Sequence, residues 1–223
     1  MKIETEEISI ETSYGNFSVR QFRPQFVLDQ FPEIFSSTVL DIGSDAGVIK
    51  AHLGPEKVTG VDLNPAADIT INLDEVEQLP FEDGQFKTVL CLDVLEHLEN
   101  LHRIMAEAVR VSSRWVLISL PNPWASARLR IARGKGSIVH YGLPLEPTQD
   151  RHRWFFSCGE ALDFLVGMQN DDLNVRSLMT VEKPVPAYLR WFRRFVYFDP
   201  LRYRNRYIHT VICLFEKSGN HGD

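Results

Sequence analysis

The sequence contains few cysteines, and no pattern pairs them. Cys91, Cys158 and Cys213 are isolated from one another in a chain of 223 residues. Three separated cysteines form neither a CxxC metal motif nor a disulfide framework. We therefore expect these side chains to be small apolar residues of the interior, and we expect no metal site.

Long apolar runs and an excess of positive charge are also missing. No stretch approaches the roughly 18 apolar residues that span a bilayer, and the acidic start MKIETEEISIE lacks the features of a signal peptide. The formal net charge of -6 does not favour nucleic acid as a partner. These absences predict a cytoplasmic protein without a transmembrane segment.

Short apolar runs alternate with helical patterns along the chain. The runs are continuous rather than alternating, which suits strands buried on both faces of a parallel sheet. Residues 100–111 carry apolar side chains on one helical face, and Ser157 with Glu160 has the spacing of a capping box. The alternation predicts right-handed βαβ units. The predicted strands lie at 38–42, 57–62, 68–72, 87–93, 114–120, 173–181 and 207–217.

The first run leads into a glycine turn, VLDIGSDAG at 39–47. A dinucleotide site would have a GxGxxG turn there, but Asp45 stands where that fingerprint has its second glycine. A carboxylate beside a pyrophosphate would repel it, so the turn suits a ligand without phosphate. Asp62 ends the next strand about 20 residues after the turn, where an acidic side chain can accept hydrogen bonds from ribose hydroxyls.

Further motifs follow in order over residues 38–122. They are a DxGxxxG turn (Asp41, Gly43, Gly47), a GxDxxP strand end (Gly60, Asp62, Pro65), LPF followed by DGQF (79–86), and DVLEHL (93–98). Together these motifs resemble those of class I S-adenosylmethionine-dependent methyltransferases. The similarity is to the type 11 group, which includes ubiquinone and menaquinone methyltransferases.

The resemblance implies a fold and a domain layout. The expected fold is Rossmann-like, doubly wound α/β, with a mainly parallel seven-stranded sheet, an antiparallel last strand and a helical lid insertion. We expect a single methyltransferase domain over 1–223, with a cofactor-binding core at about 36–122. Segments 121–156 and 184–206 would form a substrate lid, and residues 17–31 would form a helix that closes over the cofactor.

The resemblance also implies S-adenosyl-L-methionine as cofactor. Its methionine end would lie over the first turn, with Asp41 acting through the turn or a water, and Asp62 would accept from the ribose hydroxyls. The Leu92 carbonyl and Asp93 would approach the ammonium or the reacting methyl, and the adenine contact within 73–75 stays open. The implied cofactor residues are Asp41, Gly43, Ser44, Asp45, Gly47, Asp62, Leu63, Leu73, Asp74, Leu92 and Asp93.

Asp45 departs from the resemblance, because the family usually has a glycine at this position. Aspartate tolerates the left-handed backbone better than most residues. Its carboxylate would either pair with the ammonium of the cofactor or weaken cofactor binding.

Three histidines are candidates for a general base. Methyl transfer is an in-line displacement from an activated sulfonium, so a base is needed only if the acceptor must lose a proton. The candidates are His97, His140 and His152, since an imidazole titrates near neutral pH. A structural or cofactor-positioning role is the stronger interpretation for His97, and both interpretations stay open for the other two.

Arginines and aromatic residues are concentrated in segments 121–156 and 188–209. They favour a small-molecule, sugar or lipid-intermediate acceptor with negative charge, held by bidentate bonds and stacking. A solvated basic face is the alternative. The second segment would touch a phosphate-bearing substrate, a membrane surface or RNA, or it would form a lid helix and strand edge. The sequence does not indicate an oligomeric state.

Two other classes of function compete with a methyltransferase. A non-catalytic S-adenosylmethionine-binding or regulatory protein is favoured by Asp45 and by the lack of an assignable base. The intact motif residues Asp41, Gly43 and Asp62 oppose it. An enzyme that acts on a dinucleotide or a nucleotide sugar is disfavoured by the GSDAG turn.

Overall fold

A computed structural model describes residues 8–19, 21–138, 140–146, 148 and 150–218. The strands are β1 (Ile10–Tyr14), β2 (Val39–Ile42), β3 (Val58–Asp62), β4 (Ile69–Thr70), β5 (Phe86–Leu92), β6 (Ser112–Pro121), β7 (Leu173–Glu182) and β8 (Ile208–Lys217). The α-helices are α1 (Phe22–Gln30), α2 (Val48–Leu53), α3 (Leu101–Val111), α4 (Pro123–Ala132), α5 (Cys158–Gly167), α6 (Ala187–Val196) and α7 (Pro200–Tyr207). Short 3-10 helices lie at Pro32–Phe35 and Leu95–His97.

The strands form one mostly parallel sheet in the order β1-β7-β8-β6-β5-β2-β3-β4. β8 is antiparallel to both of its neighbours, β6 and β7, which confirms the expected antiparallel last strand. The expected Rossmann-like α/β class is confirmed. The strand number is corrected, because the described residues form eight strands rather than seven.

The additional strand is β1, which pairs in parallel with β7 at the sheet edge, Ile10 opposite Leu178. Its side chains are half-buried or exposed, so its apolar signal is weak and its pairing with β7 decides its conformation. The helix expected over 17–31 is also shorter, since α1 begins only at Phe22. Phe17 lies before that helix and packs edge-on against Phe26 with ring centroids 5.2 Å apart.

The capping box predicted for α5 is present. The Ser157 hydroxyl accepts from the Glu160 backbone N–H at 3.2 Å, and the Glu160 carboxylate accepts from the Ser157 N–H at 2.8 Å. The start of α3 is stabilised differently, because Asn100 makes no side-chain cap there. The Asp74 carboxylate from a distant loop accepts instead from the N–H groups of Glu99 and Asn100, at 2.9 and 3.4 Å.

Helices cover both faces of the sheet and create a buried apolar layer on each. One layer includes Ile42, Ile104 and Phe215, and the other includes Val27, Leu117 and Ile212. The three cysteines are free and buried, as expected. With both faces covered, the carboxyl ends of β2, β3, β5 and β6 remain open at one edge of the sheet, where ligands of open α/β sheets bind.

Candidate active site

The turn from β2 into α2 has a backbone that requires small or tolerant residues. Gly43, Asp45 and Gly47 have φ values of 76°, 42° and 67°. A Cβ on Gly43 would overlap a Val94 methyl group, so glycine is needed there for space as well as for conformation. The Gly43 N–H donates to the Val61 carbonyl at 2.7 Å, which ties the turn to β3.

Asp62 connects this turn to the end of β3. Its Oδ2 accepts from the Asp45 N–H at 2.9 Å, and its Oδ1 accepts from the Asn64 N–H at 2.8 Å. Each carboxylate oxygen can accept more than one hydrogen bond. The two backbone bonds therefore hold the carboxylate in place while leaving capacity for a ligand hydroxyl.

Asp41 is a buried acid beneath the same turn. Its side chain is almost fully covered, with 4% relative exposure. Burial, with a smaller contribution from the negative charge of Asp62, raises the pKa of Asp41 to about 7. A cation placed nearby would favour the ionised form of this carboxyl, so this end of the site is suited to a positively charged group.

Asp93 follows β5 in a left-handed conformation, with φ of 53°. The Ser119 hydroxyl donates to its Oδ1 at 2.6 Å, and the Arg23 guanidinium from α1 lies 2.5 Å from its Oδ2. A non-glycine residue with positive φ is strained, and it persists here because both carboxylate oxygens are held. The carboxylate is thus placed at the carboxyl end of the sheet.

The loop expected to contact adenine presents an apolar and a polar residue. Leu73 is buried, and the neighbouring Asp74 uses its carboxylate to hold the start of α3. That carboxylate is therefore already engaged within the protein. Asn72, which the sequence analysis did not single out, accepts from the Asp74 N–H through its side-chain oxygen at 3.1 Å.

The three candidate histidines lie together, although two of them are far from His97 in sequence. The His97 and His152 rings are 4.5 Å apart, and the His140 and His152 rings stack at 4.3 Å. Burial is the main cause that lowers the pKa of His97 and lowers the pKa of His152 to about 3. Both imidazoles are consequently neutral near pH 7.

Two carboxylates complete this group, and sequence reasoning missed both. Glu96 is 1% exposed and lies next to His97, while Asp150 Oδ1 lies 3.9 Å from His97 Nε2. Burial, reinforced by the negative charge of Asp93, raises the pKa of Glu96 well above its usual range. We call Glu96, His97, His140, Asp150 and His152 the histidine cluster.

His209 on β8 is another residue that the sequence analysis did not identify. Its Nε2 is 2.9 Å from the Gly15 carbonyl, and its ring contacts Phe17 edge-on at 5.0 Å. A histidine within an apolar strand run gives no sequence signal of a site. Only the folded structure brings His209 into contact with Gly15 and Phe17, which are far from it in sequence.

One cavity of about 1780 Å³ connects these features. It is lined by the implied cofactor residues except Gly47, which starts α2, and by His97, His140 and His152. Additional lining residues come from α1, α4, α7 and β8, among them Arg23, Arg128, Arg206 and His209. No helix in the described part of the chain is long and apolar enough to cross a membrane.

The architecture is shared with solved methyltransferase structures. A small RNA methyltransferase HEN1 superposes with a TM-score of 0.59 at 15% identity, covering 96% of this chain and 27% of that one. A S-adenosylmethionine-dependent methyltransferase from Archaeoglobus fulgidus gives 0.53 at 17% identity, covering 89% and 94%. Magnesium protoporphyrin IX methyltransferase from Synechocystis PCC 6803, solved with bound S-adenosylhomocysteine, gives 0.52 at 15% identity, covering 92% and 90%.

Fold and sequence motifs together define a class I S-adenosylmethionine-dependent methyltransferase. Residues 40–114 match the family model described as "Methyltransferase domain". No curated protein matches the sequence at a significant level. The narrower ubiquinone and menaquinone grouping stays a prediction.

Proposed function

We propose that this methyltransferase transfers a methyl group to a negatively charged small molecule, sugar or lipid intermediate. The observation that carries the proposal is the uneven distribution of charge along the walls of this cavity. Asp41, Asp62 and Asp93 lie at its sheet end, whereas Arg128, Arg193 and Arg206 line it from α4, α6 and α7. A cationic cofactor fits the acidic end, and an anionic acceptor fits the basic end.

The acidic end suits S-adenosylmethionine in both charge and shape. The cofactor supplies an activated methyl group on a sulfonium, so the chain has to bind, orient and exclude water. We infer that Asp62 accepts from the ribose hydroxyls, and that Asp41 and Asp93 offset the positive charges of the methionine end. Leu63 and Leu73 would provide apolar contact for the adenine ring.

The Asp45 substitution is compatible with cofactor binding. Its left-handed backbone places its N–H on Asp62 Oδ2, so the residue supports the proposed ribose acceptor instead of blocking it. This contact weighs against the non-catalytic alternative, for which Asp45 was one of the two arguments.

The basic end is built from arginines stacked on tyrosine rings. The Arg128 and Arg193 guanidiniums lie 5.1 and 4.5 Å from the Tyr207 ring centre, and Arg206 lies 4.7 Å from that of Tyr197. Burial and the nearby charge of Arg206 lower the pKa of Arg128. We propose that an anionic group of the acceptor relieves this repulsion, and that segments 121–156 and 184–206 act as its lid on a single domain.

The histidine cluster lines the same cavity as the two ends. His97 is neutral near pH 7, so its imidazole can take a proton from an acceptor hydroxyl or amine, whereas His152, with its pKa lowered to about 3, is a much weaker base. We propose a general-base role for the cluster only if the acceptor must lose a proton. His140, which belongs to the cluster, is a further candidate for that role.

Calorimetric titration with S-adenosylmethionine and S-adenosylhomocysteine, beside NAD, tests the proposed cofactor site. We expect micromolar binding of the first two ligands and none of NAD. Asp62→Ala should weaken binding by about 100-fold, since two charge-assisted hydrogen bonds to the ribose are lost. Asp163→Ala, which removes an exposed carboxylate on α5, is the control and should bind normally.

Turnover is then assayed with anionic and neutral acceptors by following S-adenosylhomocysteine formation. Preference for anionic acceptors, lost in Arg128→Gln, would support the acceptor class. Equal binding by the Asp62→Ala variant and the parent would contradict the assigned cofactor site.

A further inference from the structure

We propose that the histidine cluster binds a divalent first-row transition-metal ion, with Glu96, His97 and His152 as its ligands. This inference deepens the proposed function and rests on it, because the ion would lie in the same cavity as the acceptor. One nitrogen or oxygen atom from each of these three residues lies within 4.8 Å of the others. A second set, His140, Asp150 and His152, meets the same limit and shares His152.

The distance between Glu96 and His97 within this set, and that between His97 and Asp150 of the second set, fit a shared ion. Donor atoms bound at about 2.1 Å to one ion can be no more than about 4.2 Å apart. His97 Nε2 lies 4.0 Å from Glu96 Oε1 and 3.9 Å from Asp150 Oδ1. Both separations are too long for a hydrogen bond and short enough for an ion to bridge.

The hydrogen bonds of the two histidines leave one nitrogen of each ring available. His97 Nδ1 lies 3.2 Å from the Arg151 carbonyl, which can only accept, so this nitrogen carries the proton. Tyr141 donates its hydroxyl proton to the Trp154 carbonyl and therefore accepts from His152 Nδ1, at 3.1 Å. Nε2 of both rings then carries a lone pair, which is the usual arrangement of metal-binding histidines.

Glu96 provides an independent indication of a missing partner. Its side chain is 1% exposed, and its buried Oε2 has no hydrogen-bond partner among the residues that the structure describes. A buried carboxylate oxygen without a partner is costly, and an ion held by both carboxylate oxygens of Glu96 would remove that cost. Two imidazoles with a carboxylate favour Mn²⁺, Fe²⁺, Co²⁺ or Zn²⁺ over Mg²⁺, which prefers oxygen ligands only.

The position suggests what the ion would do. Glu96 and His97 follow closely after Asp93 in sequence, and all three line the cavity. An ion at this point would coordinate an oxygen of the acceptor, orient it towards the cofactor end of the cavity and lower the pKa of a coordinated hydroxyl, so that His97 and His152 would act as metal ligands and not as bases.

Cobalt binding to the chelator-treated full chain tests the site without reference to methyl transfer. We expect one Co²⁺ per chain by calorimetry, visible d–d absorption, and no displacement by equimolar Mg²⁺. Glu96→Gln and His152→Gln should each weaken Co²⁺ binding at least about 100-fold, and Tyr141→Phe about 10-fold through loss of the His152 orientation. His52→Gln is the matched control, because it removes an exposed histidine on α2 and should change nothing.

Several outcomes would overturn the metal site. These are unsaturable Co²⁺ binding, equal loss of affinity in His52→Gln, or unchanged affinity in Glu96→Gln and His152→Gln. S-adenosylhomocysteine affinity, measured on the same samples, separates the two proposals. Ligand binding without Co²⁺ binding rejects the metal alone, whereas Co²⁺ binding without the nucleoside ligand rejects the cofactor site alone.

A different observation carries a second proposal: we infer that α6 docks on an anionic lipid surface. None of its residues is buried. Tyr188, Trp191, Phe192 and Phe195 recur at i, i+3, i+4 and i+7, and they are 75%, 70%, 56% and 71% exposed. With Phe198, which is 87% exposed, they form what we call the aromatic face.

Charge identifies the occupant of the aromatic face. Six arginines and a single acidic residue, Asp199, occur in residues 188–209, whereas the whole chain has a net charge of -6. Arg190 and Arg194 are anchored beside this face over the Tyr14 and Tyr203 rings, at 4.6 and 5.6 Å. Exposed aromatic residues flanked by arginines on one helix suit the interface of a membrane with anionic headgroups.

Sedimentation with vesicles tests this surface. We expect binding to phosphatidylcholine vesicles that contain phosphatidylglycerol, weaker binding at high salt, and little binding to phosphatidylcholine alone. The double variant Trp191→Ser/Phe195→Ser should bind at least about 10-fold more weakly, because it loses two aromatic side chains that would be buried in the lipid on binding. Ile131→Ser, at an exposed apolar position on α4, is the control.

No binding to the anionic vesicles, or equal binding by the double variant, would refute the membrane surface. A dimer in light scattering that the same double variant converts to a monomer would assign the aromatic face to a second copy of the chain instead. Both measurements are independent of cofactor and metal binding.

Discussion

Asp41→Asn should make the protein more stable at pH 8, although it replaces a buried carboxyl group of the site with an amide. The Asp41 pKa is about 7 in the folded protein, compared with 3.8 for the ordinary side chain. A carboxyl whose pKa is raised by folding binds its proton more tightly in the folded state. The free energy of unfolding therefore falls as pH rises from about 4 to about 7, and the loss is complete above that range.

The expected gain in Asp41→Asn at pH 8 is on the order of 4 kcal/mol, and the variant should match the parent at pH 4. For a chain of this size the melting temperature would rise by roughly 10 °C. Thermal unfolding of both proteins between pH 4 and pH 8 measures this. Asp163→Asn, at an exposed site on α5, should show no such trend. A stability difference independent of pH would show that Asp41 is not held in a raised-pKa state.

Gly43→Ala should strongly destabilise the fold. The residue has φ of 76°, and its Cβ would overlap the Val94 side chain. The left-handed backbone costs an alanine about 1–2 kcal/mol, and forcing extra volume into a packed site costs about 1–3 kcal/mol more. We expect a loss of roughly 2–5 kcal/mol in urea unfolding, together with loss of cofactor binding because the turn moves.

Gly47→Ala is the matched comparison for this loss. Gly47 has a similar φ of 67°, but no atom of the described residues lies within 4 Å of the position that its Cβ would take. This variant should therefore lose only the backbone part, about 1–2 kcal/mol. Equal losses in the two variants would mean that contact with Val94 does not restrict the turn.

The local parts of the fold were predictable because their signals are local. The α5 capping box needs only Ser157 and Glu160, three residues apart, and buried strands are marked by continuous apolar runs. β1 was missed because its residues, half-buried or exposed, form no apolar run in the sequence. Its strand conformation depends on pairing with β7, which is distant in sequence. The chain just before α3 is held by Asp74, which accepts from the N–H groups of Glu99 and Asn100 and which only the folded chain brings near.

The candidate site divides in the same way. The turn at 41–47 and Asp62 could be read from the chain, because a strand end and a tight turn restrict which residues fit. His97, His140 and His152 were each identified as single residues, but no sequence pattern places them in contact with one another. Glu96 was treated only as one position of the DVLEHL motif. That its Oε2 is buried with no partner among the described residues is seen only in the folded protein.

The sequence by itself therefore determined the α/β class, the glycine turn after β2 and the match to a methyltransferase domain, since these depend on residues close together in the chain. Only the tertiary structure decided which distant groups meet. The tertiary structure brings His140 and His152 from the 121–156 segment into contact with His97. It also places arginines of α4, α6 and α7 along one cavity and leaves the aromatic face of α6 exposed. The physical reason is that local geometry follows from neighbouring residues, whereas burial, shared cavities and unpaired polar atoms arise from the packing of segments far apart in sequence.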